Sequence, residues 1–177
     1  ITHLTEEQVA AFLPEVAASP ATEGRLELIV ARPSSNERQV LDSAHMTVEG
    51  GLPGDRWALS ADQDPDRYGQ LTLMNSRILR HVAQDDSRMP LAGDNLVADL
   101  DLSEENLPEG TQLQIGEVIL EVTPRPHMGC KKFAARFGQD ALRFINHKSR
   151  RHLKLRGIYV RVMQGGEIKV GDVIRKC

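Results

Sequence analysis

Gln112-Leu113-Gln114-Ile115-Gly116-Glu117-Val118-Ile119-Leu120-Glu121-Val122-Thr123 is the stretch that decides the fold. Leu113 and Ile115 alternate with glutamines, and Val118, Leu120 and Val122 are spaced two apart. That is the period of a half-buried strand, so the stretch predicts a hairpin turning across Gly116-Glu117. Pro124 and Pro126 stop the second strand.

Working outward, Cys130 to Phe137 and Gln139 to Asn146 carry helical spacing, with Phe133 and Phe137 four residues apart. Beyond them Ile158, Val160 and Val162 alternate up to Gly165-Gly166, and Ile168 to Ile174 reads as the returning strand of a closing hairpin. On the N-terminal side, Arg25 to Arg32 alternates through Leu26, Leu28 and Val30, and Arg38 to Met46 is a second extended candidate. Gly50 to Trp57 is too glycine-rich to be regular, and Asp62 to Gly69 reads as a polar loop. Leu71 to Met74 is a strand, Asn75 or Ser76 caps a brief helix through Val82, and Gly93-Asp94-Asn95-Leu96 leads into another strand. Thr5 and Gln8 have capping-box spacing, which predicts a short helix over residues 5 to 13 ended by Pro14. The expected fold is mainly β (α+β): a β-barrel with a few peripheral helices, in which residues 1–24 are a helical appendage and 25–177 a single domain.

A chain of 177 residues suits one domain, and with aromatics at 4% its core must be built from Leu, Ile, Val and Ala. No apolar run approaches the roughly 18 residues that span a bilayer, and no basic segment followed by an apolar one opens the chain. The reading is a cytoplasmic protein without a membrane partner. Cys130 and Cys177 are the only cysteines, and the second is the last residue, so a structural disulfide is not expected.

Charge is unevenly spread. The net of -3 divides into -14 for residues 1–124, +9 for Arg125 to Arg156 and +2 for the remainder. Cys130 opens a helix inside the basic stretch, just after Gly129, beside Lys131, Lys132 and Arg136. Cations and a helix N-terminus lower a thiol's pKa, so Cys130 is read as a thiolate, the form that attacks or binds a soft metal. His127, three residues earlier, is placed to orient it, to meet an anion or to act as an acid. His127, Cys130, His147 and His152 superficially form a four-ligand zinc pattern, but their order and spacing are not those of common fingers. Lys148, Arg150, Arg151, Lys154 and Arg156 form a run suited to a phosphate-bearing small molecule or to solvent. Nucleic acid is disfavoured, because the net charge is negative and no stacking aromatics interleave with the cations. Asn95 offers a neutral donor and acceptor suited to a heterocycle edge, or to a turn.

The ordered set Gly54-Asp55-Arg56-Trp57, Gln70-Leu71-Thr72-Leu73, Gly93-Asp94-Asn95-Leu96, His127-Met128-Gly129-Cys130, Arg156 to Val162, Gly165 to Ile168 and Gly171-Asp172 resembles the MOSC domain. That domain is shared with the C-terminal part of molybdenum cofactor sulfurase. The resemblance covers residues 25 to 177 and departs mildly where Gly-Asp-Asn-Leu replaces the more usual Gly-Glu-Asn-Leu. It implies a β-rich barrel whose functional cysteine is Cys130, as molybdenum ligand or sulfur carrier, and a molybdenum cofactor (molybdopterin). It further implies reduction of N-hydroxylated compounds, a small-molecule substrate, and an external electron-donor protein or sulfur donor. Cys130 and His127 are the implied catalytic residues, with Thr72, Asn95, Lys131, Lys132, Arg136 and Arg156 around the cofactor. Pyridoxal phosphate enters by family association only, because no pyridoxal-phosphate domain is recognisable. Sulfur carriage by a Cys130 persulfide, and cofactor binding without turnover, are the alternative roles.

Overall fold

The structure is a computed structural model describing residues 1–177. The deciding hairpin forms as expected: β6 (Gln112–Ile115) pairs antiparallel with β7 (Val118–Val122), with Ile115 opposite Val118. Gly116 takes the left-handed backbone that a two-residue turn requires (φ 58°). Leu113, Ile115, Val118, Leu120 and Val122 all bury inward.

Around this hairpin a sheet closes. The other strands are β1 (Glu23–Ala31), β2 (Gln39–Leu41), β3 (Ser43–Met46), β4 (Leu71–Asn75), β5 (Leu96–Asp99), β8 (Ile158–Gln164), β9 (Gly166–Lys169) and β10 (Val173–Lys176). Their order is β10-β6-β7-β8-β4-β5-β1-β2, and β10 also pairs with β1. The result is a closed seven-stranded barrel, with β2 appended to β1 and only β4 and β5 parallel. Closure leaves few open strand edges.

The expected closing hairpin does not form. β8 runs between β7 and β4, β9 crosses to pair with β3 in a separate two-stranded sheet, and β10 returns alone to seal the barrel. Gly165-Gly166 is a change of sheet rather than a hairpin turn. The second extended candidate likewise splits, β2 joining the barrel and β3 the small sheet.

Helices occupy the outside. They are α1 (Glu6–Ala10), α2 (Leu13–Ala17), α3 (Ser76–Ala83), α4 (Lys131–Phe137) and α5 (Gln139–Asn146). Thr5 and Gln8 make the capping box, and Asn75 caps α3 by accepting from the amides of Arg77 and Ile78. Pro14 begins α2 instead of ending the first helix, since the first turn of a helix needs no donor there. Three 3-10 segments were not foreseen: Arg56–Gln63, which takes the start of the expected polar loop, Asp86–Ala92 and Lys148–Leu153. No helix is long and apolar enough to cross a membrane.

Two apolar clusters result. Leu26, Ile29, Leu71, Leu73, Leu96 and Val160 belong to the barrel interior. Met74, Ile78, Val82, Val97, Phe133, Phe137 and Phe144 fill a second cluster between the barrel's outer face and the helices, and Val9 of α1 joins it. Alternation along β4 therefore sends Leu71 and Leu73 inward and Thr72 and Met74 outward, towards α4. The site lies in that seam.

Candidate functional site

Cys130 sits at the N-cap of α4 with an extended backbone, and its thiol is exposed. The amides of Phe133 and Lys132 face the sulfur without completing a capping hydrogen bond. Partial burial pushes the thiol's pKa up, but those amides and the charges of Arg156 and Arg136 outweigh it, leaving it below the ordinary value. The sulfur opens into a hollow of about 130 Å³ lined by Thr72, His127, Lys132, Phe133, Arg136 and Arg156, and also by Arg32, Ser35, Arg38 and Arg56.

Six cationic side chains thus share one small hollow, and no carboxylate lines it. Two are neutralised from behind. Arg32 pairs with Asp55 (3.0 Å), and Arg156 donates to Asp94 (2.6 Å) and to the Ala92 carbonyl (3.2 Å). The others are not: Arg38, Arg56, Lys132 and Arg136 form no salt bridge. Burial lowers the pKa of Arg38, and repulsion from Arg136, Arg32 and Arg56 lowers it further. Gly93 contributes by omission, because with φ 77° a Cβ there would stand 2.8 Å from the Arg38 guanidinium that crosses it.

His127 forms the wall between this hollow and the basic surface beyond. Burial lowers its pKa, Asp94 opposes that and Arg156 adds to it, so the ring is held neutral. Asp94 is fully buried. Burial pushes its pKa up, but Arg156 and His127 outweigh this and keep it ionised below the ordinary carboxylate value. As a carboxylate it must accept, so Nε2 of His127 carries the proton (3.4 Å) and Nδ1 is left as an acceptor. Tyr159 packs on the other side of the imidazole (4.8 Å) and is itself covered by Arg125 (4.9 Å).

Of the residues singled out in the sequence, Cys130, His127, Thr72, Lys132, Arg136 and Arg156 come together, whereas Lys131 does not line the hollow. Asn95 is placed behind the wall. Its side-chain oxygen accepts from the Thr72 amide (3.1 Å), and its NH₂ donates to Asp55 (3.0 Å) and to the Val30 carbonyl (3.1 Å). With no exposure and its bonding capacity taken, it braces Thr72 and Arg32 instead of reading a ligand. His127, Cys130, His147 and His152 form no metal-binding group, so the zinc pattern is not assembled. Sequence reasoning missed Arg32, Arg38 and Ser35, which are isolated in the acidic half; Arg56 was visible only inside the Gly54-Asp55-Arg56-Trp57 motif.

A larger cavity of about 390 Å³ adjoins the hollow through Arg32 and Arg56, and adds Trp57, Asp64, Arg125 and Tyr159 to the lining. Together the two reach the size range of small-molecule sites.

This barrel carries an exposed thiol in a pocket rich in cations. The MOSC domain family model matches residues 68–175, and the chain belongs to the MOSC domain family, which is associated with molybdenum cofactor binding. Among solved structures, the YuaD protein from Bacillus subtilis superposes with a TM-score of 0.58 at 17% identity, over 86% of this chain and 94% of that one. YiiM from Escherichia coli gives 0.55 at 19% identity, over 86% and 69%. YiiM from Geobacillus stearothermophilus gives 0.52 at 14%, over 90% and 74%. At such identities the likeness concerns the fold. No curated protein matches the sequence closely.

Proposed function

We propose that this protein binds molybdenum cofactor with Cys130 as the metal's protein ligand and reduces N-hydroxylated compounds. The observation that carries the reading is the exposed, pKa-lowered Cys130 thiol in a hollow with four cations that form no salt bridge. One soft donor and no cluster of His, Cys, Asp or Glu suits a metal that arrives with its other ligands already attached, and does not suit a bare ion.

The pocket also fits the rest of such a group. Nη1 of Arg56 and Nε of Arg156 are buried without partners, which is costly unless a ligand accepts from them. Arg32, Arg38, Arg56, Lys132 and Arg136 would hold its anionic groups, and Trp57 and Tyr159 in the adjoining cavity would flank a flat ring. When bound, the cofactor supplies two-electron redox chemistry; the protein supplies binding, orientation and charge. Thr72 and Phe133 set the walls, while neutral His127, its Nε2 committed to Asp94, keeps Nδ1 as a proton acceptor. A cytoplasmic setting would keep Cys130 reduced.

Cys130→Ser tests the proposal. Protein made in a host competent for cofactor synthesis should contain stoichiometric molybdenum by elemental analysis, and the variant should lose it while keeping wild-type circular dichroism. Equal molybdenum in both proteins would sink the reading. The exposure of Cys130 also favours one rival, sulfur carriage; a cyanide-labile sulfur on the wild type, with no molybdenum, would select it.

A further inference from the structure

The basic run from Lys148 to Arg156 is divided by the backbone at Lys154, which holds a left-handed conformation (φ 54°) rare for a residue with a side chain. Lys154 donates its amide to the Arg151 carbonyl, and Gly157 donates back to the carbonyl of Lys154. This tight turn sends Arg156 into the Cys130 hollow and leaves the earlier cations outside. Lys148 and Arg151 are exposed, Lys154 is half-exposed, and none forms a salt bridge. Arg143, by contrast, is paired with Glu6 and Asp140.

These outward cations border the site. A small cleft of about 80 Å³ is lined by Arg151, Lys154, His127 and Arg156, together with the exposed side chain of Met128 (42%). His127 and Arg156 therefore have one side towards this cleft and one towards the Cys130 hollow. Glu104 and Glu109 share a cavity with Lys154 but do not pair with it.

We propose that the face formed by Lys148, Arg151, Lys154 and Met128 is the docking surface for an acidic one-electron redox protein. The inference rests on the reductase reading, which requires an electron donor. Converting N–OH to N–H with release of water consumes two electrons and two protons, which a one-electron carrier would deliver in two successive encounters per turnover. Transient docking of that kind favours a charged rim around a small apolar contact, with electrostatic steering to speed encounter. The charge map agrees: residues 125–156 carry +9 on a chain of net charge -3, so an acidic partner is drawn to this face and repelled by the remainder. His127 and Arg156 line both this cleft and the Cys130 hollow, so the face adjoins the site.

The test uses an acidic [2Fe–2S] ferredoxin as probe, with binding followed by interferometry on the full chain. Wild type should associate roughly tenfold faster at low salt than at 300 mM, and Lys148→Glu/Arg151→Glu/Lys154→Glu should lose about that factor at low salt. Lys169→Glu/Arg25→Glu, exposed cations elsewhere, should bind as wild type. Cys130→Ser should also dock normally, since docking needs no metal; this separates failure here from failure of the cofactor reading. Unchanged association of the triple variant, salt-insensitive binding, or equally tight binding to anionic vesicles or an RNA hairpin would each overturn the proposal.

Discussion

Two cationic regions of this molecule lie back to back and are built by opposite means. The outer one, Lys148 to Lys154, comes from one stretch of sequence and forms no salt bridge, with Lys148 and Arg151 exposed. The inner one gathers Arg32, Arg38, Arg56, Lys132, Arg136 and Arg156 from two segments far apart in the chain into one hollow. The contrast teaches that a run of charge marks where a surface is basic, whereas a pocket's charge is set by topology. Arg156 is the point of contact between them, last in the run and first into the seam. Its buried pair with Asp94 makes it the position where the difference is easiest to break.

The largest effect is expected there. Arg156→Gln leaves Asp94 buried with only a neutral imidazole beside it, and losing one partner of a buried pair costs about 3–5 kcal/mol. Urea unfolding of the variant measures this. A loss comparable to that of an exposed arginine would mean the inner cations are no more built in than the outer ones.

Next comes a pH dependence. Burial, opposed by Asp94 and reinforced by Arg156, holds His127 below its ordinary pKa, so the unfolded chain takes up the extra proton first. Its contribution to stability is then complete above about pH 6.5 and declines as pH falls below that value towards its folded pKa. Asp94, also lowered, acts with the same sign in a more acidic window, below about pH 3.9. Unfolding free energy should therefore fall between pH 7 and pH 5, and His127→Gln should flatten that slope. A slope unchanged in the variant would remove His127 from the wall of the site.

Much of the barrel was legible because period-two patterning does not depend on partners. The Gly116-Glu117 hairpin, the Asn75 cap and the Thr5 capping box all arise from neighbours in sequence. The sheet switch at Gly165-Gly166 was not legible, because two glycines before a strand look the same whether the chain turns back or crosses to β3. Within the site, Cys130 was readable from its local helix start and cations, and the motif order carried Thr72 and Arg156. Arg32 and Arg38 were hidden by the acidic half around them. Asn95 misled for a physical reason: an amide at a strand entrance has the same bonding capacity for a ligand as for Thr72 and Asp55, and only packing decides which takes it.

A smaller effect should appear in thiol reactivity. Iodoacetamide labelling of Cys130, followed against pH, should show a midpoint below that of a free thiol. Arg136→Gln should raise the midpoint, because one of the charges favouring the thiolate is lost. Arg151→Gln should leave it unmoved. Equal shifts would merge the two basic regions into one diffuse field.

The smallest effects fall on the outer run and separate its members. Lys148→Gln and Arg151→Gln remove solvated, unpaired charges, so unfolding free energy should stay within about 0.5 kcal/mol of wild type. Arg150 differs although it lies between them: its guanidinium covers the Phe144 ring at 3.8 Å, and Nε donates to the Phe144 carbonyl at 2.9 Å. Arg150→Ala should cost about 1 kcal/mol, combining a partly exposed cation-π contact with lost packing on α5. An Arg150 variant as stable as the other two would mean that the whole run is held only by solvent. An Arg151 variant as costly as Arg150 would mean that the outer face is fastened to the fold, and therefore not free to receive a partner.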